Sequence, residues 1–188
     1  MLLYIHGFNS SSRSGKSRDF GAWLDQRGLG EAFVCPDLPH RPAEAIQLLD
    51  DLIVASQNDA HPVKLIGSSL GGFYATWLAE KHALKAVLVN PCVACHKKLA
   101  GMVGQIQKNW HSGDEYVFSA DHAAQLNDCV VATISQPERY LLLAETGDEV
   151  LDYREAVRYY TGAQQVVLEG GDHGFSRFND YIPAILAF

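Results

Sequence analysis

The stretch Val63-Lys64-Leu65-Ile66-Gly67-Ser68-Ser69-Leu70-Gly71-Gly72-Phe73-Tyr74-Ala75 decides how the chain is read. A short apolar run, compact enough for a strand buried on both faces, passes through G-x-S-x-G directly into a helix-like segment. With 16 glycines in 188 residues, about 0.1 such matches arise by chance, so the pattern decides little without its setting. That setting is a strand-to-helix turn. A serine there must adopt strained backbone angles, and glycines two residues to either side remove the side chains that would clash. Only Ser69 has glycine at both flanking positions, whereas Ser68 stands between Ile66 and Leu70. Such a turn lifts Ser69 Oγ clear of a sheet and sets it at the positive end of the next helix, where Leu70 N–H can face a developing oxyanion.

Outward from this turn the same alternation recurs. Strands are expected at Leu2 to Ile5, Phe33 to Cys35, Val63 to Ile66, Ala86 to Val89, Tyr140 to Ala144 and Val166 to Leu168. Between and after them, Ala45, Leu48, Leu49, Leu52 and Ile53, and again Phe178, Tyr181, Ile182, Ile185 and Leu186, recur at the helical period, each set forming one buried stripe. Strand and helix in alternation imply right-handed βαβ units. The expected fold is therefore α/β, a single domain with a mostly parallel six-stranded sheet and helices on both faces, which takes ligands at the carboxyl ends of its strands.

One connection breaks the rhythm. About 50 residues lie between Val89 and Tyr140, against an ordinary loop of ~2–6. Residues 92–137 are read as a lid-like insertion. Within it Leu99, Met102, Val103, Ile106 and Trp110 have helical spacing, and Ser119 is placed to cap a second helical stretch.

A serine hydroxyl is a poor nucleophile at neutral pH, so a base must take its proton and an acid must hold that base in the right tautomer. Both are present, each just past an expected strand: Asp148 in Thr146-Gly147-Asp148-Glu149-Val150, and His173 in Gly170-Gly171-Asp172-His173-Gly174-Phe175. Glu145, Glu149, Asp152 and Asp172 are near enough in sequence to compete with Asp148 for the acid's place.

Together the segments Tyr4-Ile5-His6-Gly7-Phe8-Asn9-Ser10-Ser11, Gly67-Ser68-Ser69-Leu70-Gly71-Gly72-Phe73-Tyr74-Ala75, Gly147-Asp148-Glu149-Val150 and Gly170-Gly171-Asp172-His173-Gly174-Phe175 resemble the compact bacterial YqiA-type esterases of the α/β-hydrolase superfamily, through nearly the whole chain. The order serine, acid, histidine is that superfamily's chain order. The resemblance implies a reduced hydrolase sheet, a triad of Ser69, Asp148 and His173, and an oxyanion hole from the amides of Phe8 and Leu70. It also implies esterase or thioesterase activity through an acyl-serine, with no metal or organic cofactor. The insertion springs from the active-site edge with an apolar stripe, so Met102 and Ile106 are expected to line the acyl pocket. A catalytically silent binding protein of the same fold stays open beside this reading.

Composition narrows the alternatives. Fifteen Lys and Arg against 22 Asp and Glu give a net charge of −7, which leaves no basic footprint for nucleic acid or an anionic membrane, so the expected partner is a small ester or thioester. No apolar run approaches the ~18 residues that span a bilayer, and the first residues lack a basic region, so a cytosolic location is expected. Cys35, Cys92, Cys95 and Cys129 are too few and irregular for a disulfide scaffold and are read as reduced. Cys92-Val93-Ala94-Cys95-His96 matches a haem-attachment pattern in letters only, without the export segment or further zinc ligands such sites need. Ser10 to Ser17 imitates a P-loop but lacks its first glycine, which weakens a nucleotide-binding reading. Arg13 and Lys16 could instead border the active-site mouth, and Asp37 is read as shaping a turn. His40, His61 and His82 stand in no pattern that gives them a partner.

Overall fold

The computed structural model describes residues 1–56 and 62–188; His61 lies outside the described residues. The strands run β1 (Leu2–Ile5), β2 (Phe33–Val34), β3 (Lys64–Ser68), β4 (Lys85–Val89), β5 (Ile106–Lys108), β6 (Glu115–Val117), β7 (Tyr140–Glu145) and β8 (Gln164–Leu168). The helices are α1 (Gly15–Asp25), α2 (Pro42–Ala55), α3 (Leu70–His82), α4 (Cys95–Ala100), α5 (Ala120–Asp128), α6 (Tyr153–Tyr159) and α7 (Phe178–Ala187). Six strands form one sheet in the order β2-β1-β3-β4-β7-β8, every neighbouring pair parallel. Parallel pairing places all the strands' carboxyl ends along one edge.

The central strands β1, β3, β4 and β7 carry near-continuous apolar runs because both of their faces are covered, whereas the edge strands β2 and β8 are only partly buried. Leu3, Ile5, Leu65, Ala86, Leu88 and Leu142 pack with residues of α2, α3, α5 and α6. The residues between them, Tyr4, Ile66, Val87, Val89, Leu141 and Leu143, pack with Phe20 and Leu24 of α1 and with Phe178, Ile182 and Ile185 of α7. Each such aliphatic side chain contributes roughly 1.5–3 kcal/mol by leaving water. Helix α3, which follows Ser69, is buried on most of its circumference, and its buried Thr76 shares a 2.7 Å hydrogen bond with the Tyr160 hydroxyl.

The insertion departs from its expected form. Helix α4 ends at Ala100, and the chain returns as an antiparallel hairpin in which Ile106 faces Val117 and Lys108 faces Glu115. The apolar spacing from Leu99 to Trp110 is not helical, because Ile106 and Trp110 are 69% and 74% exposed and bury no stripe, while Met102 packs partly on the core. Gly104 and Gly113 hold φ of +85° and +81°, a left-handed backbone that breaks a helix and suits the hairpin's turns. Ser119 does cap α5, in a capping box whose returning side chain is His122.

The hairpin is fastened to the loop after β1. Trp110 N–H donates to Asn9 O at 2.9 Å, the Asn109 amide donates to Ser10 O at 2.8 Å, and Tyr116 OH donates to Asn9 Oδ1 at 2.7 Å. Phe8 meets Phe118 edge to face. Two histidines that no sequence pattern pairs find partners in the fold: His82 Nε2 lies 2.6 Å from Asp50 Oδ1, and His40 stacks on Tyr116. All four cysteines are free thiols. Among the described residues no helix is long and apolar enough to cross a membrane.

Candidate active site

Ser69 is the residue between β3 and α3, with φ 55° and ψ −119°. A non-glycine residue held there costs on the order of 1–3 kcal/mol, which the packing around it must offset. The flanking glycines are required by close approach. A Cβ on Gly67 would overlap the Gly71 carbonyl, and one on Gly71 would overlap the Ile5 carbonyl at the end of β1. The turn is thus closed tightly on itself and pressed against the end of β1. Neighbouring Ser68 is buried in β3.

Three further strand ends meet Ser69. His173, in the loop between β8 and α7, places Nε2 at 3.0 Å from Ser69 Oγ. Its Nδ1 lies 2.9 Å from Asp148 Oδ2 and 3.0 Å from Oδ1, the carboxylate sitting in the loop after β7. Asp148 is itself oriented, since Oδ1 accepts the backbone N–H groups of Val150 at 2.9 Å and Leu151 at 2.8 Å. Burial pushes the Asp148 carboxyl up, but the hydrogen bonds from His173, Leu151 and Val150 outweigh it and hold the group below its usual value. An ionised carboxylate only accepts, so Nδ1 carries the proton and Nε2 is free to accept from Ser69.

The loop after β1 completes the ring. A Cβ on Gly7 would come within 3.3 Å of Ser69 Cβ and 3.8 Å of Ser69 Oγ, so the peptide unit leading to Phe8 passes over the serine. Among the described residues neither Phe8 N–H nor Leu70 N–H has a hydrogen-bond acceptor. This loop is braced by His6, a residue the sequence marks only as part of a motif. Buried His6 places Nδ1 at 3.0 Å from Gly7 O and accepts Leu38 N–H on Nε2 at 3.1 Å, a neutral tautomer that burial favours by lowering its pKa.

The rival carboxylates go elsewhere. Asp152 caps α6 by accepting Arg154 N–H, and Glu149 accepts the backbone N–H of His173 at 3.0 Å. Glu145, fully buried at the end of β7, turns toward the backbone of residues 172–177. Asp172 reaches the site through its peptide groups, bonded to Glu145 and Asn90. Lys16 donates to Gly174 O at 2.6 Å, tying α1 to the loop that carries His173, and Arg13 donates to His111 O at 2.8 Å, tying the loop after β1 to the insertion. Asp37 accepts Ser12 N–H at 2.7 Å and shapes the segment that imitates a P-loop. Met102 and Ile106 belong to the insertion fastened to the loop after β1, the one partly buried and the other exposed. Among the described residues no three His, Cys, Asp or Glu side chains cluster as a metal site requires.

Comparison with known proteins agrees with this architecture. The model of the family described as UPF0227, an uncharacterised protein family, matches residues 1–188. A UPF0227 protein of Vibrio atlanticus (strain LGP32) is 22% identical over 199 residues, covering 100% of this chain and 98% of that one. Among solved structures, alpha/beta hydrolase domain-containing protein 10 from mouse superposes with a TM-score of 0.70 at 14% identity, over 99% of this chain and 89% of that one. Est1E from Butyrivibrio proteoclasticus does so with a TM-score of 0.66 at 16% identity, over 100% and 85%. The chain has the α/β-hydrolase fold and belongs to the UPF0227 family, the YqiA-type group that its motifs resemble.

Proposed function

We propose that this protein is a serine hydrolase that cleaves a carboxylic ester or thioester through an acyl-Ser69 intermediate. The observation that carries the reading is the unbroken relay from Ser69 Oγ to His173 Nε2 at 3.0 Å and from His173 Nδ1 to Asp148 at 2.9 Å, on a serine with left-handed φ. His173 takes the Ser69 proton as Oγ attacks the acyl carbon, and Asp148 stabilises the imidazolium that forms. The tetrahedral oxyanion accepts from Phe8 N–H and Leu70 N–H, the latter at the positive end of α3; each such donor is worth ~10²–10³ in turnover. His173 then protonates the departing alcohol or thiol, and a water activated by the same imidazole releases the acid and restores Ser69.

The test is reaction with a fluorophosphonate, followed by intact mass and peptide mapping. Adduct on Ser69, lost in Ser69→Ala and kept in Ser68→Ala, supports the reading. Adduct on Ser68, or turnover of an activated ester that survives Ser69→Ala, overturns it.

A further inference from the structure

The base of the relay is carried by a loop without regular structure, residues 169–177 between β8 and α7. A loop that must hold an imidazole to within a fraction of an ångström needs its peptide groups fixed, and two buried side chains that the relay does not use are spent on that. Glu145 Oε2 accepts Asp172 N–H and Ser176 N–H, each at 2.9 Å, and Oε1 accepts Arg177 Nε at 2.8 Å and Ser176 Oγ at 3.1 Å. Asn90 Nδ2 donates to Asp172 O at 2.9 Å and to His173 O at 3.2 Å, while its Oδ1 accepts Glu145 N–H at 2.9 Å. Asn90 therefore holds the carbonyls of both peptide groups that flank His173, Glu145 holds the loop one peptide before and two after them, and the Glu145 N–H bond to Asn90 links the two, while His173 N–H is taken by Glu149. Asn90 keeps φ of +41° at the end of β4, a backbone strain that persists where the surroundings require it. Glu145 is 0% exposed and faces only donors, with Arg177 supplying the countercharge.

We infer that Asn90 and Glu145 are positioning residues that set the His173 imidazole in register with Ser69 and Asp148. Neither is in hydrogen-bond contact with Ser69 or with the imidazole. The inference rests on the reading of Ser69, Asp148 and His173 as a triad, and the experiment separates the two.

Asn90→Gly removes the amide while tolerating the left-handed backbone, and it changes no charge. Glu145→Gln keeps the shape but turns an NH2 group toward donors. The probe is the second-order rate of Ser69 labelling by a fluorophosphonate, followed over about pH 5 to 9, the range in which an imidazole titrates. Each variant is expected to slow labelling by about tenfold to a hundredfold, the cost of small misplacement in a reacting geometry. In Asn90→Gly the shape of the profile should also change from the parent's, because the imidazole is no longer held in line with Ser69 and Asp148. A merely structural role would lower the rate only in proportion to the unfolded fraction, read by circular dichroism, and would leave the profile's shape unchanged. Either that result, or rates within about twofold of the parent, overturns the inference. Should both variants fail to fold, exposed Ser176→Ala, which removes one donor to Glu145, carries the test: about threefold slower labelling supports the inference and an unchanged rate refutes it. Labelling that persists in Ser69→Ala overturns the triad itself, whereas labelling lost there and parental in the other variants overturns only the positioning roles.

Discussion

Replacing Asp148 by Asn changes one atom, and the structure dictates where the new NH2 group must go. Val150 N–H and Leu151 N–H both donate to Oδ1, at 2.9 and 2.8 Å, so the amide keeps its oxygen there and turns Nδ2 toward His173. A donor facing Nδ1 forces the imidazole into the tautomer with its proton on Nε2, which then donates to Ser69 Oγ and can no longer take its proton. The same exchange in a serine protease costs ~10⁴ in turnover, equivalent to ~5 kcal/mol of barrier. Stability should suffer far less. Both backbone bonds survive and lose only their charge-assisted part, at most ~2–3 kcal/mol together, or no more than about 12 °C in Tm for a chain of this size. Hydrolysis of p-nitrophenyl acetate gives kcat, with circular dichroism as the folding control. A folded Asp148→Asn enzyme with kcat within about tenfold of the parent would refute the reasoning, and Glu149 would then be the next carboxylate to test because it already bonds the His173 backbone.

Gly71→Ala should cost ~3 kcal/mol or more, because its Cβ would overlap the Ile5 carbonyl and backbone cannot swing aside; a thermal melt within about 2 °C of the parent would contradict this. His6, His96 and His122 are each held below their ordinary value, by burial first of all. Groups depressed in this way bind fewer protons folded than unfolded, so their contribution is full above the unfolded value of about 6.5 and is lost as pH falls from there through the lowered folded values. Tm should therefore be lower at about pH 5 than at about pH 7.5, and a flat profile would speak against it. In the insertion, Met102→Ala should lower stability because Met102 packs on the core, whereas exposed Ile106→Ala should leave Tm within about 1–2 °C and change the ratio of rates on short-chain and long-chain acyl esters. An unchanged ratio in Ile106→Ala would remove that residue from the acyl site.

Local pattern was enough for the sheet and the turn. The apolar runs of the central strands are near-continuous because those strands are covered on both faces, and continuity in sequence is visible without a structure. Gly67 and Gly71 flank Ser69 because the turn's two ends touch each other and the end of β1 lies against it, and that crowding leaves its mark in the residue type itself. The hairpin of β5 and β6 was not legible in this way. Its apolar residues Ile106 and Val117 pair across strands and face outward, so their spacing records no buried stripe from which a period could be read. The choice among five nearby acidic residues was likewise beyond local pattern. A carboxylate's role depends on which donors surround it, and those come from loops distant in the chain: Asp148 finds His173, Glu145 finds Asp172, Ser176 and Arg177, and Asp152 finds the start of its own helix. Asn90 shows the limit most clearly, because a single amide after a strand carries no signal by itself, and only folding brings the two carbonyls beside His173 to within its reach.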